Sequence, residues 1–519
     1  MKKYLIASLF SFSVFITFAD EKGECGSGLS YYYEESTKTL TISKTGDGTG
    51  NMTDYYFANR QSVSTAPWFS YRSGIQTLIV ESGVTSIGEY AFYFSNLSSI
   101  SLPDGLLSIG YGAFYNCRNI TSLTIPNTVL KIDGCAFSGC EKLKTIEIPE
   151  SVTYIGKALF SGCFDLQSVK LPNNITSIEN NTFYGCHSLE SIIVPSCVSI
   201  IDFEAFKECN HLKTVTIPSS ISSIGQGAFS GCTDLERVYI SDIVSWCKID
   251  FEDYGNPLYY AKHLFINNEE ITDLVIPDEV TEIKRRAFNG FDAMKTLVLG
   301  SGVKSIGEYA FAFCNSLSSV IIPVNVESIG KYAFTECKGI TEVILPTSIE
   351  TIENGTFGKC SNLFSIRIPD GILTIKTSAF ELCQNLKILY IPNSVKTIYA
   401  SAFKECKNLK DVYCFATTPP VQEMWTKKDV YEMFLNSNTE NSTLHVPEES
   451  IGLYKDAFPW MYFGSIVALT GEETSIDDRV KSFHESKYYT IDGRVSDKPS
   501  KGIYILKQDN CIPRKVSFR

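Results

Sequence analysis

The sequence predicts a repeat solenoid: a coil with one long parallel β-sheet, capped at both ends. Three observations carry that prediction, and the first is a period. Ile132–Tyr154 reads IDGCAFSGCEKLKTIEIPESVTY, and Ile155, Ile178, Ile201 and Ile224 reopen the same phrase in steps of 23. Ile87 and Ile109 open two earlier copies. After an interruption Ile283, Ile306, Ile329, Ile352, Ile375 and Ile398 continue it, thirteen copies in all. A fixed period of this length marks units that bury their apolar faces only against their neighbours. The second observation is the content of a copy: an (Ala/Leu/Thr)-Phe pair, Cys, Leu, a β-branched-x-aliphatic-Pro run, then Val or Ile. The third is composition, 44% hydrophobic and 20% charged over 519 residues. That is ordinary for a soluble folded chain, and repetition reaches this length without enlarging a single core.

Residues 1–19 read as a secretory signal peptide. Lys2 and Lys3 precede an apolar run from Tyr4 to Phe18, and Thr17-Phe18-Ala19 stands before Asp20, with cleavage expected after about Ala19. No other stretch approaches bilayer-spanning length, so the expected location is secreted or cell surface. Residues 20–86 are expected to form an N-terminal β cap and the first strand. Thr39–Ser43 alternates as a half-buried strand, Gly46, Gly48 and Gly50 mark turns, and Pro67-Trp68-Phe69 brings apolar bulk to the first rung. An open solenoid end exposes both core and sheet edge, so a cap is physically required.

Residues 87–240 are the first array. Within a copy Leu143-x-x-Ile146-x-Ile148 is a short strand with alternate residues turned inward, and Pro149 ends it. The half running Ile155-Gly156-x-x-Leu159-Phe160 is expected to return as a loop with a helical turn. Residues 241–270 exceed the period, because 59 residues separate Ile224 from Ile283, 36 more than one repeat. Trp246, Cys247, Phe251, Tyr254, Tyr259 and Tyr260 there make either a packed spacer or a protruding binding loop, and so many aromatics generally need a core. Residues 271–411 form the second array and 412–470 the C-terminal cap, with a last strand at Thr443–Pro447 and a helix from Ser450 to Phe458. Trp460, Tyr462 and Phe463 would seal the far end. Residues 471–487 have the composition of a linker, and 488–519 read as a small β tail.

The repeat LxxIxIPxxVxxIGxxAFxxC, from about Ile87 to Leu409, resembles the BspA-like leucine-rich repeat, found mostly in secreted and surface-bound proteins. The resemblance implies a leucine-rich-repeat-like right-handed coil and, commonly, adhesion to host or matrix proteins. The tail also resembles something known. Asp492-Gly493-Arg494, Lys501-Gly502-Ile503-Tyr504-Ile505 and the basic finish are similar to the end of C-terminal sorting domains of exported bacterial proteins. That likeness implies surface attachment through the tail.

Function is narrowed first by charge. At −12 the chain offers no basic stripe, which argues against nucleic acid and against an anionic membrane surface. Eleven of the 17 cysteines occupy one repeat position, from Cys117 to Cys232 and from Cys314 to Cys406. Equivalent positions point the same way, and parallel Cβ vectors do not suit a disulfide torsion, so buried free thiols are expected over bridges. No CxxC pair or His cluster suggests a metal, and no HExxH, nucleophile elbow or phosphate loop suggests a catalytic residue or cofactor.

The residue between the two strand aliphatics faces away from the core. It is polar early, as in Ser101, Thr124, Glu147 and Lys170. Later it becomes Val298, Ile321, Ile344, Arg367, Tyr390 and Tyr413, the candidate partner-binding column. A contiguous exposed apolar run usually marks an interaction site, while plain β-propensity on a solvated sheet is the alternative. The functional expectation is an exported, non-enzymatic, adhesin-like surface protein that binds a protein or glycan through its sheet. A purely structural display protein and a surface glycan hydrolase remain the alternatives.

Overall fold

The computed structural model describes residues 20–56, 64–423 and 432–470, and the backbone of four strands between Lys487 and Phe518. The signal peptide expected at residues 1–19 and nearly all of the linker expected at 471–487 lie outside the described residues. The chain divides into two compact units. One runs up to Ile175 and includes Thr182–Ser188; the other comprises Thr176–Asn181 and everything from Leu189.

In the first unit the strands Glu21–Gly26, Leu29–Glu34 and Thr39–Lys44 form an antiparallel meander. Its last strand pairs in parallel with Thr77–Val80, which pairs in turn with Ser99–Ser101. Farther along, Thr145–Glu147 pairs with Ser168–Lys170 one repeat later, Ile146 opposite Val169. The second unit repeats this scheme. The longest run of its main ladder joins Ser365–Arg367, Ile388–Ile391, Asp411–Cys414, Thr443–Val446 and Ser465–Ala468, all parallel. Leu and Ile at alternate strand positions point inward and are buried, as the period-two pattern requires.

The return half differs from expectation. It holds a second ladder of two-residue parallel strands instead of a helical turn: Ser86–Ile87, Ser108–Ile109, Lys131–Ile132 and Tyr154–Ile155 in the first unit. In the second unit Glu282–Ile283, Ser305–Ile306 and Ser328–Ile329 do the same. Two left-handed residues per repeat explain the absence of helix. The residue before the Ala-Phe pair has positive φ, as at Tyr90, Cys135, Ala158 and Tyr309, and so does the residue before the ladder cysteine, as at Gly139, Gly162, Glu336 and Lys359. A single left-handed residue ends helical hydrogen bonding, so the phenylalanine N–H turns to the next rung. Phe114 N donates to Ala136 O at 2.9 Å, and Phe334 N to Thr356 O at 2.9 Å.

A non-glycine residue in this region carries steric strain. Ala158, at φ 54°, has only a methyl group to lose. Ala158→Gly should therefore stabilise the protein by about 0.5–1 kcal/mol, read as a higher thermal midpoint.

The repeated phenylalanines stack into columns. In the first unit Phe92, Phe114, Phe137, Phe160 and Phe183 follow one another with centroids 5.3–5.8 Å apart. In the second, Phe288, Phe311, Phe334, Phe357, Phe380 and Phe403 stack at 5.2–5.6 Å. Tryptophans close these columns. Trp68 stacks on Phe92 at 5.5 Å and donates its indole N–H to Ala91 O at 2.7 Å. At the other end Phe403 meets Phe434, which meets the edge of Trp460, whose N–H reaches Pro420 O.

The aromatic insertion is built into the coil as one irregular rung. Asp242 caps the helix Ile243–Cys247 by accepting from Ser245 N at 2.7 Å. Asp250–Phe251 extends the second ladder, and Leu264–Ile266 extends the main one. Trp246, Cys247, Phe251 and Leu258 are buried, and Trp246 donates to Ala287 O at 2.7 Å, just before Phe288 opens its column. The helix of the C-terminal segment spans Ile451–Asp456. Beyond it, four tail strands pair antiparallel.

Candidate functional site

The six column residues all lie in the second unit, on the outward side of the main ladder. Ile321 pairs with Ile344, Arg367 with Tyr390 and Tyr390 with Tyr413, while Val298 pairs back onto Val275. The neighbouring column links these runs, because Phe364 N donates to Thr341 O, Lys387 N to Phe364 O and Lys410 N to Lys387 O. The six therefore occupy consecutive rungs of one face.

They are less open than their outward direction alone implies. Ser101, Thr124, Glu147 and Lys170 in the first unit are exposed, whereas all six are half-buried. The large side chains of Arg367, Tyr390 and Tyr413, one rung apart, cover one another. Tyr390 and Tyr413 stack at 4.8 Å with planes 13° apart, which matches the rung spacing. The Arg367 guanidinium lies over Tyr390 at 5.2 Å. On the far side His445 stacks on Tyr413 at 4.3 Å, and its Nε2 meets Asp411 Oδ1 at 3.3 Å. The stack Arg367–Tyr390–Tyr413–His445 thus covers its own ring faces.

His445 is a member that repeat counting does not reach, because extra residues between Tyr413 and His445 break the step of 23. Its strand pattern, Thr443-Leu444-His445-Val446-Pro447, is the available signal. Phe364, Lys387 and Lys410 belong to the face as well. Phe364 is 46% exposed, and Lys387 Nζ lies 4.9 Å above its ring.

The cysteine column has a different chemistry. Each of ten ladder thiols donates to the phenylalanine carbonyl of the preceding rung at 3.0–3.4 Å, from Cys117 to Phe92 through Cys406 to Phe380. Burial pushes the Cys163 and Cys383 thiols up to about 12 from 9.0. A thiol so raised supplies no thiolate at neutral pH and hence no nucleophile.

Other polar groups are engaged structurally. A recess of about 310 Å³ is lined by Gln226, Asp250, Glu252, Asp253 and Arg285. Within it Asp253 is held by Arg285 at 3.4 Å and Arg286 at 2.7 Å, and Glu252 accepts from Gln226 N at 3.0 Å. His211 pairs with Asp234 and His263 with Glu270. Among the described residues no group of three or more His, Cys, Asp or Glu could hold a metal ion.

A family profile described as BspA type leucine rich repeat region (6 copies) matches residues 65–189, 136–251, 260–386 and 328–462. No curated protein matches the chain. Among solved structures, a leucine-rich repeat protein of Bacteroides ovatus is 26% identical, covering 71% of this chain and 94% of its own, with a TM-score of 0.44. A leucine rich cell surface protein of Faecalibacterium prausnitzii is 23% identical, covering 80% and 98%, with a TM-score of 0.32. The pneumococcal vaccine antigen PcpA is 17% identical, covering 88% and 100%, with a TM-score of 0.34.

Proposed function

Because the chain belongs to the BspA type leucine rich repeat family, we propose that it is an exported, non-enzymatic surface protein that binds a protein partner through the outward face of its second unit. Family membership supports an interaction or surface role. The leader at Met1–Ala19 supports export, and the tail after Lys487 is the segment proposed to attach the protein to a surface.

One observation carries the reading: the register-aligned stack of Arg367, Tyr390, Tyr413 and His445, continuing the apolar run of Val298, Ile321 and Ile344. Tyr and Arg dominate interface energetics when they sit amid apolar surface. The same geometry favours protein over glycan. Sugar recognition by aromatics uses open ring faces, and here the faces are taken up by rung-to-rung stacking.

The test is retention of a surface-protein partner on immobilised mature protein, compared across substitutions. Tyr390→Ala and Tyr413→Ala should each cost about 1–3 kcal/mol of binding. Each should also cost about 1 kcal/mol of stability through the lost stack, since both rings are half-buried. Ser101→Ala and Thr124→Ala should change binding by almost nothing. Equal effects at all four positions, or none, would return the column to ordinary sheet chemistry.

A further inference from the structure

Resting on the proposed interface, we infer that its partner segment is anionic: a carboxylate-rich stretch of protein carrying aliphatic or aromatic side chains, docked across Phe364, Arg367, Lys387, Tyr390, Lys410 and Tyr413. The chain as a whole is acidic, with 58 Asp and Glu against 46 Lys and Arg. This patch runs against that balance. Lys387 and Lys410 stand on adjacent rungs of one column, joined by the bond from Lys410 N to Lys387 O at 2.9 Å. Neither makes an ion pair with a described residue. At the repeat position of Arg367 in the first unit, Lys170 is instead paired with Glu147 at 2.5 Å.

Of the carboxylates on this face, Asp411 is engaged by His445, and Glu342 stands one rung before the patch. What remains is a set of two ammonium groups, those of Lys387 and Lys410. Such a set is satisfied by carboxylates. The adjoining Ile344, Ile321 and Val298, with Phe364 and Ile388, need apolar side chains opposite them. A sulfated polysaccharide has none to offer, whereas an acidic protein segment supplies both.

Fluorescence anisotropy on the full mature chain tests this with a labelled peptide rich in Glu and Asp and interspersed with Leu and Phe. A Gln/Asn version of that peptide and a heparin oligosaccharide serve as comparators. The acidic peptide should bind at least tenfold more tightly than its neutral version, and the advantage should shrink as salt screens it. The double change Lys387→Glu with Lys410→Glu should weaken binding about tenfold or more. The charge-removing pair Lys387→Gln with Lys410→Gln should give a smaller loss, and Lys331→Glu on the return face less than twofold. Thermal melts of each variant verify folding. Equal binding of the acidic and neutral peptides overturns the inference, as does a double reversal no different from Lys331→Glu, or heparin binding in place of the peptide. If a captured partner depends on Tyr390 and Tyr413 but is indifferent to Lys387 and Lys410, the interface stands and its anionic partner does not. Indifference to all four removes both.

Discussion

Raising the pH above about 9 should unfold this protein steeply, with the buried cysteine columns as the cause. The sign follows from where the thiol proton is held more firmly. Below 9.0, the ordinary thiol value, the thiols are protonated in both folded and unfolded chains, and their contribution to stability is fully present. As pH rises further the unfolded thiols ionise, while burial keeps folded Cys163 and Cys383 protonated up to about 12. Stability then falls by about 1.4 kcal/mol per thiol for each pH unit in that window. Burial raises Cys140, Cys186, Cys314, Cys360 and Cys406 well above their ordinary value too, so several protons leave together. Buried Tyr55, Tyr71 and Tyr454 are raised as well and act in the same direction.

The measurement is circular dichroism against pH in anaerobic buffer, alongside the ultraviolet absorbance of thiolate. Both should change together, and the double variant Cys163→Ala with Cys383→Ala should show a shallower transition. Thiolate absorbance appearing while the fold persists would show that the columns are accessible, contrary to their burial.

Trp68→Ala should destabilise the first unit by about 3–5 kcal/mol. The indole is 1% exposed. It stacks on Phe92, makes edge contacts with Tyr31 and Tyr55, and donates to Ala91 O. Removing it opens a cavity at the end of the phenylalanine column and leaves a buried carbonyl without that donor. Trp68→Phe keeps the stack and loses the bond, so its cost should be smaller, about 1–3 kcal/mol. Because each coil contacts only its neighbours, loss at one end should spread inward rung by rung. Hydrogen exchange should therefore show Thr77–Val80 and Ser99–Ser101 losing protection first, while Ser365–Ala468 is unaffected. A melt identical to the parent's would show that Trp68 closes nothing.

Much of the solenoid was legible because a repeat declares which residues are equivalent. Once Ile146 is inward, Val169, Ile192 and Val215 are inward too, and the residue between the aliphatics is outward. The same logic placed Val298, Ile321, Ile344, Arg367, Tyr390 and Tyr413 on one face. The second ladder and the missing helix were less legible. A left-handed position is advertised by Gly139, Gly162 and Gly185 but concealed where Tyr90, Ala158 or Lys359 takes it under strain. His445 escapes the count because extra residues between Tyr413 and His445 break the period.

The sequence by itself determined the period, the inward and outward sides of each strand, the column of cysteines and the family resemblance. These follow from spacing along the chain. Only the tertiary structure decided that the phenylalanines stack, that ten ladder thiols meet the carbonyl of the preceding rung, and that Arg367, Tyr390, Tyr413 and His445 cover one another. Those relations join residues about one rung apart in space and 22 or more apart in sequence. Their distances depend on how far one coil advances and turns onto the next, a quantity set by backbone hydrogen bonds between rungs and spelled by no single repeat.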